Sequence, residues 1–433
     1  MTLRNLATSL LLVVPLVAGC RTDESPSAPD LSNNGGLLAR YVAMGNSITA
    51  GFQSAGINDS TQRRSYAAVF ARQARAPYFY AALNMPGCPA PFTNNVTQTR
   101  VDNQPPTSPC ALRRQDQVPF LSNVAVPGAH AIDAFTNTDP ASGPNALTTV
   151  ILGGRSQVEA MADAQPTFVS VWLGNNDVLG ALTSTANPGN PALVTSEPAF
   201  ESAYTAVLDS VAATGAKAAL FAVADVTVIP YSSSGSTYWC LKNGVCPGVP
   251  SGGFPAVFTV NNNCAPGAAV PGAKGDSILV PWTVGVPKLS AALAGVPQTL
   301  DCSVDAQVVT PFEYKTMREA VAGYNAFIAA QAAQRNWAFV DVNPALLAAR
   351  ADQPVSVPPP PAAQQTFPKI ALFPCFPGKP CGSKVNPGPA VLFGTYFSLD
   401  GVHPSEVAQR VIADSLISAV NRTYGTGIPF AGP

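Results

Sequence analysis

The sequence predicts an α/β protein, a doubly wound parallel sheet with helices packed on both faces. Two observations predict it. Short, continuous apolar runs recur along the 433 residues, as strands buried on both faces require. Between them lie segments with the apolar period of amphipathic helices. The candidate strands are residues 40–45 (RYVAMG), 123–128 (NVAVPG), 167–174 (TFVSVWLG), 216–226 (AKAALFAVADV) and 337–344 (WAFVDVNP), so the sheet should have about five strands. Tyr204, Val207, Leu208 and Val211 mark one intervening helix, at i, i+3, i+4 and i+7. Met317, Val321, Tyr324 and Ile328 mark another. A last helix opens at Pro404, a favoured first-turn residue, and is expected to bury Val407, Val411 and Leu416.

Three stretches interrupt this pattern. Residues 84–120 and 228–305 are rich in Pro, Gly and Asn, and residues 353–390 contain the run Pro358 to Pro361. They read as loop insertions from one domain spanning 39–425, with a tail at 426–433. The long 228–305 segment could form a small subdomain.

Composition excludes several function classes. There are 24 basic and 25 acidic residues, for a net charge of −1, so no basic surface argues for nucleic acid. Charged residues are 11% of the chain, against about 25% in an average soluble protein, which suits an extracytoplasmic setting. The N-terminus agrees. Arg4 precedes an apolar run over residues 6–18 that is short for a bilayer span. The run ends in Val17-Ala18-Gly19-Cys20, which resembles the lipobox of bacterial lipoproteins. That resemblance implies a signal peptide at 1–19, lipidation of Cys20 and a flexible tether over 20–38. Arg21, rather than Asp, follows the Cys, which in Gram-negative lipoproteins implies outer-membrane sorting.

Nine cysteines fit this reading. With Cys20 taken by lipid, eight remain, an even number in an exported chain. Nearness in sequence suggests Cys88–Cys110, Cys240–Cys246, Cys264–Cys302 and Cys375–Cys381, one of 105 connectivities. The chain has no CxxC pair and only two histidines, which argues against zinc.

Four short signals carry chemistry. Ser47 follows the first strand in Gly45-Asn46-Ser47. Gly128 ends the second. Asn176 stands in the string GNND after the third, and Asp400 lies three residues before His403 near the C-terminal helix. In an open α/β sheet the C-terminal strand ends share one edge, where ligands bind. These positions therefore converge on one rim. Together they supply a hydroxyl nucleophile, an imidazole to take its proton and a carboxylate to orient the imidazole.

The order GNS, Gly, GNND and DGVH resembles the four sequence blocks of the GDSL or SGNH hydrolases, a family of serine esterases and lipases. The resemblance runs from residue 40 to about 422. It implies a flavodoxin-like, three-layer α/β/α fold. It also implies Ser47, His403 and Asp400 as catalytic residues, and an oxyanion hole from Ser47, Gly128 and Asn176. Asn46 departs from the family pattern, which has Asp there. No metal or organic cofactor is implied. The expected activity is cleavage of carboxylic esters, acyl or lipid, through an acyl-enzyme. The alternatives are a carbohydrate O-acetyl esterase and a non-catalytic surface lipoprotein that binds glycan or lipid. His130, with Asp133 three residues on, is the rival imidazole, and Asp177 is the rival to Asp400. The expected partners are an ester substrate and, through the lipid, a membrane of the cell envelope.

Overall fold

The computed structural model describes residues 36–105, 110–115, 118–136, 146–245, 254–353 and 361–432. The signal peptide, Cys20, most of the tether, Cys246 and Pro358 to Pro360 lie outside the described residues.

Strand β1 (Tyr41–Gly45), β2 (Phe168–Trp172), β3 (Lys217–Phe221) and β4 (Ala338–Val340) form one parallel sheet in that order. Gly45 pairs with Trp172 in register, so β1 and β2 end level. The alternation of side chains sorts the sheet into two cores. Val42, Met44, Val169, Val171 and Leu220 face one side. There they meet α3 (Gln157–Asp163), α5 (Glu197–Ala213) and α6 (Pro311–Arg335). Tyr41, Phe168, Trp172, Phe221 and Val340 face the other side, against α2 (Tyr66–Gln73) and α8 (Glu406–Tyr424). The result is the expected three-layer α/β/α arrangement. The periodic residues of α5 and α6 are all buried, as their spacing requires.

The sheet has four strands where about five were expected. The missing one, at 123–128, lies along the edge of β1 but joins it by one isolated bridge, Asn123 to Ala43, with a second bridge from Asn123 to Tyr80 on its other side. Val124 and Val126 still donate to Ala43 and Gly45 carbonyls at 3.0 and 3.2 Å. Pro127 has no N–H to continue the ladder, and the chain turns at Gly128. Counting this edge segment, the second β-like run lies outside the first, which is the flavodoxin-like order.

The last helix begins at Glu406 after the N-cap Ser405, so Pro404 precedes it rather than opening it, and the helix is rotated from its expected setting. Val407 is exposed and Val411 only half-buried, while Leu416 is fully buried. The buried stripe is Ala408, Gln409, Ala413, Leu416, Ile417 and Val420. The ends also differ from the boundaries read from sequence. Leu37 and Leu38, assigned to the tether, pack on the second core, as does Ile428 from the expected tail.

Among the described residues of the 228–305 excursion, Tyr238, Phe258, Val280 and Leu300 form a core of their own. Disulfides join Cys88–Cys110, Cys264–Cys302 and Cys375–Cys381, three of the pairs suggested by adjacency. Cys240 is also disulfide-bonded, and it sits in the helix Gly235–Asn243; Cys246 lies outside the described residues. Among those residues no helix is long and apolar enough to cross a membrane.

Candidate active site

The strand ends bring the four sequence signals together. Gly45 closes β1, and a Cβ there would lie 2.3 Å from Thr49 Oγ1 and 2.8 Å from the Trp172 carbonyl oxygen, so only Gly permits this approach. Asn46 caps the short helix α1 (Ser47–Ala50), its Oδ1 accepting from Ile48 N–H at 3.1 Å. Its Nδ2 donates to Asn175 Oδ1 at 3.4 Å. Asn46 thus ties the Ser47 turn to the GNND turn, a role not assigned to it from sequence.

Ser47 and His403, 356 residues apart, meet with Oγ to Nε2 at 2.9 Å. His403 Nδ1 lies 2.8 Å from Asp400 Oδ2. An ionised carboxylate at Nδ1 selects the Nδ1–H tautomer and leaves Nε2 as the acceptor facing the Ser47 hydroxyl. Phe52 packs on the imidazole, with ring centroids 4.8 Å apart.

Asp400 is held by an unusually complete set of donors. Oδ2 also accepts from Ala55 N–H at 2.7 Å. Oδ1 accepts from Val402 N–H, His403 N–H and the Ser398 hydroxyl, at 2.9, 2.8 and 3.1 Å. Burial alone would raise its pKa. The neighbouring His403 and the donated hydrogen bonds outweigh it and bring the carboxyl down to about 2.

The rivals lie elsewhere. His130 Nδ1 is 3.3 Å from Asp133 Oδ2, and the Asp133 carboxylate accepts the His130 N–H at 2.8 Å. Asp177 is buried and accepts from Ala131 N–H at 3.0 Å. Burial pushes its pKa up from the carboxylate range, against the nearby His130 and the Ala131 hydrogen bond.

Two expected oxyanion donors lie on the same rim. Gly128 has φ of +85°, a conformation open to Gly, and is exposed two residues past Val126, whose N–H donates to Gly45. Asn176 opens α4 (Asn176–Thr183), and its amide is oriented by a 2.8 Å hydrogen bond to the Ala129 carbonyl. Ser47, Asn176 and His403 line a cleft that is partly open to solvent. Among the described residues no group of three His, Cys, Asp or Glu side chains could hold a metal ion.

Sequence reasoning missed several supporting residues. Gln157 grips the Gly45 backbone from both sides, Oε1 accepting its N–H and Nε2 donating to its carbonyl, each at 2.9 Å. Gln409 on α8 accepts from Tyr66 N–H at 2.7 Å and donates to the Ile48 carbonyl at 3.3 Å. Ser54 and Ala55 have φ of 53° each at the tip of the Gln53–Gly56 turn, and this turn aims the Ala55 N–H at Asp400. No short-range pattern marks these positions, because their partners are more than a hundred residues away.

No family model matches the chain, and no curated protein matches its sequence. Solved structures similar to it include a proposed SGNH hydrolase from Slackia heliotrinireducens (12% identity, 88% of this chain and 98% of that one, TM-score 0.32). Another is an acetyl xylan esterase, AlAXEase (12%, 88% and 99%, TM-score 0.34). A third is an extracellular lipase of Streptomyces rimosus (15%, 88% and 98%, TM-score 0.34). None of the three defines the chemistry of this chain, which rests on its own side chains.

Proposed function

We propose that this chain is a carboxylic ester hydrolase acting through Ser47, His403 and Asp400. The observation that carries the reading is the hydrogen-bonded line from Ser47 Oγ through His403 to Asp400, at 2.9 and 2.8 Å, at the mouth of a cleft. Ser47 Oγ attacks the ester carbonyl as His403 Nε2 takes its proton. Asp400 stabilises the resulting imidazolium. The oxyanion is received by the Ser47 and Gly128 N–H groups and the Asn176 amide, each worth about 3 kcal/mol of barrier. His403 returns the proton to the departing alcohol, leaving an acyl-Ser47 ester. Water attacks this ester, gives its proton to His403 and releases the acid. No step calls on a metal.

Covalent labelling by a fluorophosphonate, followed by peptide mapping, tests the reading. Ser47 should carry the adduct. Ser47→Ala should remain folded and lose on the order of 10⁶ in turnover of an ester. Near-normal hydrolysis by Ser47→Ala would sink the assignment. A non-catalytic surface lipoprotein that holds lipid in the same cleft is the second reading. It predicts no adduct and no turnover.

We also infer export and lipid anchoring at Cys20, from the lipobox-like string and the even count of remaining cysteines. Mass spectrometry of the native protein should find an N-terminal, acylated Cys20. An unmodified N-terminus elsewhere would reject this.

A further inference from the structure

The cleft extends well beyond the reacting hydroxyl. On α8, Ala408, Val411, Ile412 and Ser415 line it, and Pro404 lines it just before the helix begins. The four helical positions, at i, i+3, i+4 and i+7, form one stripe, which follows the helix axis for about 10 Å. The half-burial of Val411, unexpected for a core position, is explained by this cleft. Other walls come from Val226 and Ile229 after β3 and from Leu346 of α7 (Asn343–Ala351).

Polar groups gather at the Ser47 end: Asn46, Asn175, Asn176 and His403. Of the other lining side chains, only Tyr396 and Ser415 bring a hydroxyl. Ser415 turns its hydroxyl back to the Val411 carbonyl at 3.0 Å. A sugar ring would leave several hydroxyls without partners along such a wall, at a desolvation cost. An alkyl chain has none to satisfy.

We propose that the cleft holds the acyl half of the substrate as one unbranched chain of about eight carbons, a length set by a C–C bond of about 1.5 Å folded into a zigzag. The ester carbonyl lies at Ser47, and the terminal methyl lies beside Ser415. The proposal rests on the ester-hydrolase reading and names the substrate class for that site.

The test is hydrolysis of p-nitrophenyl esters from acetate to palmitate by the whole described protein. Each added methylene should raise kcat/KM about fourfold, so octanoate should exceed butyrate by at least about a hundredfold, with a decline beyond about eight carbons. Val411→Phe and Ser415→Phe should then move the optimum to shorter chains. Val411→Phe should move it further, because it blocks the cleft closer to Ser47. The readout is the ratio of octanoate to butyrate turnover within each variant. A second arm is independent of turnover. Calorimetric titration of Ser47→Ala protein should show octanoate binding at least about a hundredfold tighter than butyrate.

A flat profile, or one that peaks at acetate, overturns the acyl-slot proposal and leaves the esterase intact. An optimum that neither Phe variant moves also overturns it. If the variants do not fold, the titration decides, and equal affinity for the two acids overturns the proposal. Absence of all turnover would instead sink the hydrolase reading, while tight octanoate binding would still uphold the slot.

Discussion

Asp400 shows how single residues make this site. It accepts hydrogen bonds from three backbone N–H groups, one hydroxyl and one imidazole. One of the backbone donors, Ala55, sits in a turn whose two central residues have positive φ without being Gly. Such conformations cost on the order of 1 kcal/mol each and persist where surrounding contacts impose them. Asp400→Asn should leave the fold in place but offer an amide to His403 Nδ1, favouring the wrong tautomer. Turnover should fall on the order of 10⁴-fold in ester hydrolysis. The same residue shapes acid stability. Folded Asp400 stays ionised down to about pH 2, while an unfolded Asp titrates near ~3.9. Between those values the unfolded chain binds more protons, so the stabilisation is fully present above about pH 4 and is lost as pH falls toward 2. Comparing the denaturant midpoints of wild type and Asp400→Asn across that window checks the sign. His403→Ala should abolish hydrolysis and His130→Ala should not. The reverse result would transfer the base to His130.

At the scale of elements, the rim is held by side-chain amides that replace sheet pairing. Where a strand ends, its last N–H and C=O groups lose their ladder partners and must find others. Gln157 reaches both the N–H and the carbonyl of Gly45, whose carbonyl also accepts from Val126 N–H. Asn325 on α6 does the same for Val223 past the end of β3, at 2.7 and 2.9 Å. Gln409 joins α8 to α1 and α2. Gln157→Leu would leave the buried Gly45 N–H without its acceptor. It should destabilise the protein by about 1–3 kcal/mol, read as a lower urea midpoint. A midpoint equal to wild type would show that Gly45 does not depend on this grip. The long helix α6 is secured at its start by a capping box, with Thr310 N–H donating to Glu313 Oε2 at 2.8 Å. Thr310→Ala should cost about 1 kcal/mol in the same assay.

At the scale of the whole molecule, the described cysteines are confined to the excursions, although Ile229, Tyr231 and Leu279 from one of them pack into a core of the sheet. The two cores on the sheet faces contain no cysteine, whereas the clusters beneath the excursions contain Cys88, Cys264, Cys302, Cys375 and Cys381. The bridge across the 22 residues from Cys88 to Cys110 should contribute about 3 kcal/mol by the chain-entropy model. Reduction should therefore loosen the excursions before the sheet melts. Tryptophan fluorescence should change at lower denaturant in reduced protein, ahead of the loss of far-ultraviolet helix signal. Thiol titration of denatured, unreduced protein should find no free thiol. Two or more reactive thiols per chain would refute the framework of eight paired cysteines.

The sequence by itself determined what depends on neighbours along the chain. Continuous apolar runs marked the four sheet strands, because a strand buried on both faces needs nothing else. The periods at Tyr204 and Met317 marked helices for the same local reason. The strings around Ser47, Asn176 and Asp400 were legible because a turn at a strand end and a carboxylate three residues before an imidazole are short-range features. Only the tertiary structure decided the rest. It reduced residues 123–128 from a full strand to a bridged edge and turned Val407 outward. It set Val411 beside a cleft, and it chose Asp400 rather than Asp177 as the carboxylate facing His403. It also recruited Ala55, Gln157 and Gln409 to hold the rim. The physical reason is common to all of these. Which buried polar groups find partners, and which apolar faces stay open, depends on chain segments that meet only after folding, and no local period encodes that meeting.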